Sequence, residues 1–131
     1  MLREKIRIRK IAPYKDERGL LAKLFDYAAL DDKHIQDIYV TYTKPGQSRA
    51  DHYHKKTTEW FCAIKGKGIL KLKAIDSNEE LEITLDAKEM NLVEVPPGIN
   101  HQIFAKGKEE LILIAFGNQP YKKDDTDTYF L

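Results

Sequence analysis

A chain of 131 residues is the size of one domain with a single hydrophobic core. Its 22 Lys and Arg balance 21 Asp and Glu, a net charge of +1, which argues against nucleic acid as the main partner. A lone Cys62 cannot close an intrachain disulfide, and Met-Leu-Arg-Glu-Lys-Ile-Arg at the start lacks the apolar core of a secretion signal, so a cytoplasmic protein without membrane contact is expected.

The chain then reads as short strands divided by turn residues. Residues 4–11 alternate charge with Ile6 and Ile8, a half-buried strand pattern. Pro13 to Gly19 interrupts it, Leu20 to Phe25 resumes, and Tyr27 to Asp32 offers the best place for a short helical turn. Ile38 to Thr43 is β-branched and aromatic, and Lys44-Pro45-Gly46 ends it. Trp60 to Ile64 reads as a buried strand. Ile69 to Ile75 and Leu81 to Leu85 flank a polar hairpin connection at Asp76 to Glu80. Leu92 to Val95, Gln102 to Ala105 and the apolar run Leu111 to Phe116 complete the set, the last typical of a strand covered on both faces. Strands every 8 to 12 residues with no long helix predict an all-β sandwich or barrel. Lys122 to Thr128 is charged and expected on the surface, with Tyr129-Phe130-Leu131 docking back.

Four residues stand out within this pattern. His52 and His54 are two apart, so in a strand they project from one face, about 6.6 Å along the chain from each other. Glu59 would open the neighbouring strand after a turn at Lys55 to Thr58, and His101 follows the rigid Pro96-Pro97-Gly98 turn. Three imidazoles and a carboxylate are a donor set for one divalent ion. A lone strand histidine is more often a hydrogen-bonded structural residue than a ligand, and His34, outside the pattern, is read as a surface residue. Cys62 sits in an apolar strand and is expected to be buried and inert. Lys55-Lys56 either solvates a hairpin or meets a phosphorylated ligand.

The stretch Gly46 to Gly66 resembles the first cupin motif, G-x5-H-x-H-x4-E-x6-G, with Gly46, His52, His54, Glu59 and Gly66 at every fixed position. Residues 96–101 resemble the core of the second, P-x-G-x2-H, although Met90 and Ala105 stand where that motif usually has glycine and asparagine. The resemblance implies one cupin domain over residues 1–131, an RmlC-like jelly-roll β-barrel. It also implies a metal site at His52, His54, Glu59 and His101.

A second resemblance narrows the first. Asp16-Glu-Arg18-Gly19 before Phe25, Arg49-Ala-Asp-His52-Tyr53-His54-Lys55, and the acidic, tyrosine-containing tail Asp124 to Tyr129 are similar to segments of nucleotide-sugar epimerases and ketoisomerases. Sugar 3,4-ketoisomerase cupins and the cupin domain of capsular-polysaccharide reductases are the nearest in kind. The resemblance implies a nucleotide-activated 4-keto sugar as substrate, with a proton moved next to the carbonyl. His52 matches the catalytic histidine, and an imidazole with a pKa near about 6.5 suits the task. Tyr42 is the better-placed acid, since strand alternation turns Tyr53 away from His52. Arg18 and Arg49 are expected to clamp the diphosphate, with Lys55 beside them.

Metal-free epimerases carry a lysine where this chain has Glu59-Trp60-Phe61, and a divalent cation at His52, His54, Glu59 and His101 could take over its stabilisation of the enolate. An imidazole that binds the ion has its lone pair engaged and cannot also be the base, which leaves His52 with two exclusive roles. Zinc, nickel, manganese, iron or copper would each suit three nitrogens and one oxygen. A small dioxygenase and a non-catalytic metal- or sugar-binding cupin are the rival readings. Exposed sheet edges predict a homodimer.

Overall fold

The computed structural model of the protein describes residues 1–25 and 33–131. The short helical turn expected at Tyr27 to Asp32 lies outside the described residues. Among the described residues a single-turn helix, α1 (Leu2–Lys5), is followed by eleven strands: β1 (Arg7–Lys10), β2 (Tyr14–Asp16), β3 (Gly19–Leu21), β4 (Asp37–Thr43), β5 (Ser48–His52), β6 (Glu59–Lys65), β7 (Lys67–Ala74), β8 (Glu80–Asp86), β9 (Asn91–Val95), β10 (Ile99–Lys106) and β11 (Leu111–Gly117). They form a five-stranded sheet in the order β1-β9-β6-β11-β4, a four-stranded sheet β5-β10-β7-β8 and a separate hairpin β2-β3, with every pairing antiparallel.

Strand alternation explains why these two sheets face each other. On β7 the residues Gly68, Leu70, Leu72 and Ala74 are buried while their neighbours reach outward, and on β11 Leu111, Leu113 and Ala115 do the same. Phe61, Val93, Val95, Ile99 and Ile103 join them in one core between the sheets. A second cluster lies on the outer face of the five-stranded sheet. There Trp60, Cys62, Leu92 and Phe116 are covered by Ile11, Leu24, Phe25 and Ile35, with the Phe25 ring edge-on to Trp60 and Phe116. Both faces of β6 are therefore buried at Trp60 to Ala63, and burial pushes the Cys62 thiol up to about 11.

Three expectations change. The strand predicted over residues 4–11 begins only at Arg7, because Leu2 to Lys5 makes a helical turn that buries Leu2. Ile6 is buried but Ile8 is half exposed. The strand predicted over Leu20 to Phe25 stops at Leu21, since Ala22 to Phe25 crosses the second cluster instead of pairing. Trp60 to Ala63 is buried as read, whereas Ile64 is 42% exposed.

Glycine is required where β6 turns into β7. Gly66 has φ +82°, and a Cβ there would lie 2.5 Å from the Glu110 carbonyl oxygen. The motif's closing glycine thus allows the turn to approach the β10-β11 connection.

Candidate metal centre

Glu59 is the first residue of β6 and His52 the last of β5, while His101 is opposite His52 across the β5-β10 pairing. The three therefore meet at one end of the molecule, between the two sheets. His54 is the second residue after the end of β5. The approach to it is irregular: Ala50 and Asp51 have φ of 70° and 71°, and the pairing skips from Gln102 opposite Ala50 to His101 opposite His52. This is a bulge, with Asp51 as the extra residue, and it bends the chain so that the histidines turn inward.

Glu59 is the hub. Its Oε1 accepts from His54 Nε2 at 2.9 Å and from His101 Nε2 at 3.0 Å, and its Oε2 accepts from the Tyr39 hydroxyl at 2.7 Å. The carboxylate is 6% exposed and His101 2%. One donor atom from each of His52, His54, Glu59 and His101 lies within 4.8 Å of the others.

Protonation follows from these contacts. Burial opposes ionisation of Glu59, but the bonds from His101 and His54 outweigh it and hold the carboxyl well below its usual range. Burial also disfavours the His54 imidazolium, yet the bond and charge of Glu59, with help from Asp127, raise its pKa. His52 has no such partner, and burial together with His101 and His54 lowers it to about 4, which leaves it neutral. Burial and the adjacent Glu59 charge push the Tyr39 phenol far up, so it stays protonated.

The second contacts of two rings select the nitrogens that face inward. His54 Nδ1 donates to the Asp127 carbonyl at 2.8 Å and His101 Nδ1 to the Ile99 carbonyl at 3.2 Å. A carbonyl can only accept, so Nδ1 carries the proton in each ring and Nε2 is the atom presented to Glu59. Where a cation replaced the proton that each Nε2 donates to Glu59, two Nε2 lone pairs beside a carboxylate would be its donor set, and outer bonds of this kind orient such ligands. The residues therefore fit a metal ion chemically.

A cavity of about 330 Å³ opens over His52, His54 and Glu59 and is walled by Lys56, Lys122 and Asp125, while a smaller one of about 190 Å³ runs inward past His52, Tyr39 and Arg49. Three residues singled out in the sequence lie apart from the four-residue cluster. Tyr42 is 56% exposed and on the outer face of β4; Tyr39, three residues earlier, is the tyrosine at the cluster. Arg18 lies in the β2-β3 hairpin with its guanidinium 2.6 Å from Asp16, and it lines neither cavity. Lys55 places its amine 4.2 Å over the Tyr129 ring, and Lys56 lines the larger cavity instead. Arg49 does border the inner cavity, tied by Nε to Thr43 Oγ1 and by a terminal nitrogen to the Tyr42 carbonyl. Tyr53 turns away from the cluster and stacks on Tyr129.

The tail after β11 went unread as part of the site. Its Asp125, Thr126, Asp127 and Thr128 wall the larger cavity, and Phe130 sits edge-on to His52 at 6.1 Å between ring centres.

Residues 14–129 match the sequence model of the family described as "Polysaccharide biosynthesis C-terminal domain". The chain belongs to this family. It is 32% identical over 85 residues to the UDP-2-acetamido-2,6-beta-L-arabino-hexul-4-ose reductase of Pseudomonas aeruginosa, covering 65% of this chain and 23% of that enzyme. The chain therefore spans about a quarter of the length of that relative. It is 24% identical to the spore coat polysaccharide biosynthesis protein SpsL of Bacillus subtilis, over 93% of this chain and 84% of that one. In three dimensions it superposes on the dTDP sugar isomerase of Desulfovibrio desulfuricans G20 with a TM-score of 0.87 at 16% identity, over 98% of this chain and 84% of the other. The fold is the RmlC-like cupin jelly roll, as the histidine motifs implied.

Proposed function

We propose that this family member acts on a nucleotide-activated 4-keto sugar, moving a proton next to the carbonyl as an epimerase or ketoisomerase, with a divalent cation held by His52, His54, Glu59 and His101. The observation that carries the reading is the convergence of those four donors, three of which line a cavity whose walls offer both amines and carboxylates. The relatives, a hexulose reductase and a dTDP sugar isomerase, support the substrate class.

A bound cation would supply electrophilic stabilisation of the charge that develops on the sugar carbonyl oxygen. The remaining work falls to the chain. Lys56 and Lys122 meet the phosphates and Arg49 borders the inner cavity, while Asp125 accepts sugar hydroxyls. Neutral His52 faces both cavities and takes the proton from the carbon beside the carbonyl when its lone pair is free. When His52 is a ligand, Tyr39 is the protic group left in contact with the cluster.

The test is incubation with a panel of nucleotide 4-keto-6-deoxy sugars in deuterated water. Deuterium at carbon 3 or 5 supports the reading, and no exchange with any sugar of the panel contradicts it.

The homodimer belongs to the same proposal. Ile38, Val40 and Tyr42 project outward from β4, the edge of the five-stranded sheet, and are 63%, 47% and 56% exposed. An exposed apolar edge strand is a template for pairing, and a second copy is the occupant that symmetry favours. Light scattering should give twice the chain mass, reduced to one chain mass by Val40→Asp.

A further inference from the structure

None of the four donors belongs to the C-terminal tail, yet the tail fixes one of them. The Asp127 carboxylate accepts from three groups of the turn between β5 and β6: the Lys55 amide at 2.9 Å, the Lys56 amide at 3.1 Å and the Thr57 hydroxyl at 2.8 Å. The Asp127 amide donates to Asp125 Oδ1 at 2.8 Å, and two residues later Tyr129 exchanges both backbone hydrogen bonds with Tyr53 at 2.9 Å. Asp127 is therefore held on either side, and its carbonyl has one place to be, 2.8 Å from His54 Nδ1.

We infer that Asp127 is a positioning residue of the cation site: its side chain latches the tail to the 55–57 turn so that its carbonyl fixes the ring of His54 with Nε2 toward Glu59. The inference rests on the cation reading for its metal readout and has a second readout that does not. The carbonyl is the acceptor that fixes the proton on the Nδ1 side of the ring, and without it a ring flip would present carbon to Glu59. Loss of such an outer partner typically weakens metal binding about 10–100-fold. A purely structural anchor for the tail would change stability and leave both the tautomer and the affinity alone.

The experiment compares the full-length wild type with Asp127→Ala and Asp127→Asn, using zinc titration calorimetry and nitrogen-15 histidine NMR. The Asn oxygen can still accept the two amides and its NH2 can donate to Thr57 Oγ1, so D127N should keep wild-type affinity and a His54 protonated at Nδ1. D127A should bind zinc about 10–100-fold more weakly and lose the slowly exchanging Nδ1 proton. Unchanged affinity together with an unchanged His54 spectrum in D127A overturns the inference. If the wild type binds no zinc, zinc is excluded as the cation and the NMR comparison decides the latch alone: retention of the Nδ1 proton in D127A overturns it. Should D127A not fold, Thr57→Val removes one of the three anchors and must shift the His54 resonances in the same sense, and an unmoved spectrum contradicts the latch.

Discussion

The stretch from Gly46 to Gly66 and the tail after Gly117 meet at the same imidazole by different means. The first lies on paired strands and a bulge and supplies His52, His54 and Glu59; the second contains no strand of its own and supplies no donor. Yet the tail takes the outer proton of His54, closes the 55–57 turn and walls the larger cavity. The identity of the donors thus comes from the strands, and the orientation of one of them comes from an irregular segment that is about seventy residues away in sequence. Loops that carry side-chain and carbonyl contacts to a rigid scaffold often have this division of labour.

The largest effect should come from the strand side. Glu59→Ala removes the one acceptor shared by His54 and His101 and leaves two buried imidazoles against each other. Removing one partner from a buried charged set costs about 3–5 kcal/mol, so denaturant unfolding of the ion-free protein should show a loss of that order, and cation binding should vanish. A fully folded E59A that still bound a cation would show that the hub is elsewhere.

Tyrosine substitution separates the inner and outer faces of β4. Tyr39→Phe deletes the bond to Glu59 Oε2 and frees that oxygen, so it should reduce catalytic exchange strongly and weaken cation binding, whereas Tyr42→Phe should leave both unchanged. Equal effects of the two substitutions in an exchange assay would contradict the assignment.

The pH dependence of the ion-free protein sharpens the comparison between His52 and His54. His54 has a raised pKa, so its contribution is full below the ordinary 6.5 and is lost as pH rises through the folded value. His52 is lowered to about 4, so its contribution is full above 6.5 and is lost as pH falls toward 4. Thermal unfolding after chelation should therefore be most resistant near pH 6.5, with a decline on both sides. Cation affinity should instead rise with pH through the titration of His54, because the ion and the proton compete for Nε2.

The smallest effect concerns the bulge. Ala50 adopts φ 70°, where the similar stretch of nucleotide-sugar epimerases has glycine. Ala50→Gly relieves a left-handed conformation at the cost of a more flexible unfolded chain, so the midpoint of unfolding should rise by the equivalent of about 1 kcal/mol or less. A marked destabilisation would mean that the Ala50 methyl group packs usefully.

Much of the fold was legible because alternation on β7, β8 and β11 follows burial directly. The donors were legible because their spacing and flanking glycines form a dense pattern. The tyrosine was not, since on β4 the apolar Ile38, Val40 and Tyr42 face outward while Tyr39, Thr41 and Thr43 face the inner cavity. Reading apolar as inward inverts that strand. Arg18 and Lys55 are read from short segments that resemble those of nucleotide-sugar epimerases, and neither the hairpin's own Asp16 contact nor the Tyr129 ring is encoded in such segments. The role of Asp127 depends on a return of the tail across the 55–57 turn, a long-range pairing that no local pattern encodes.

The central claim is that three imidazoles and one carboxylate form a single cation site. The most direct measurement is elemental analysis of protein purified without a histidine tag, dialysed against an equimolar mixture of zinc, nickel, manganese, iron and copper salts and then freed of excess. One ion per chain in the wild type, absent from His101→Ala, is the predicted result. A wild type that carries no ion, or a His101→Ala variant that carries as much, would contradict it.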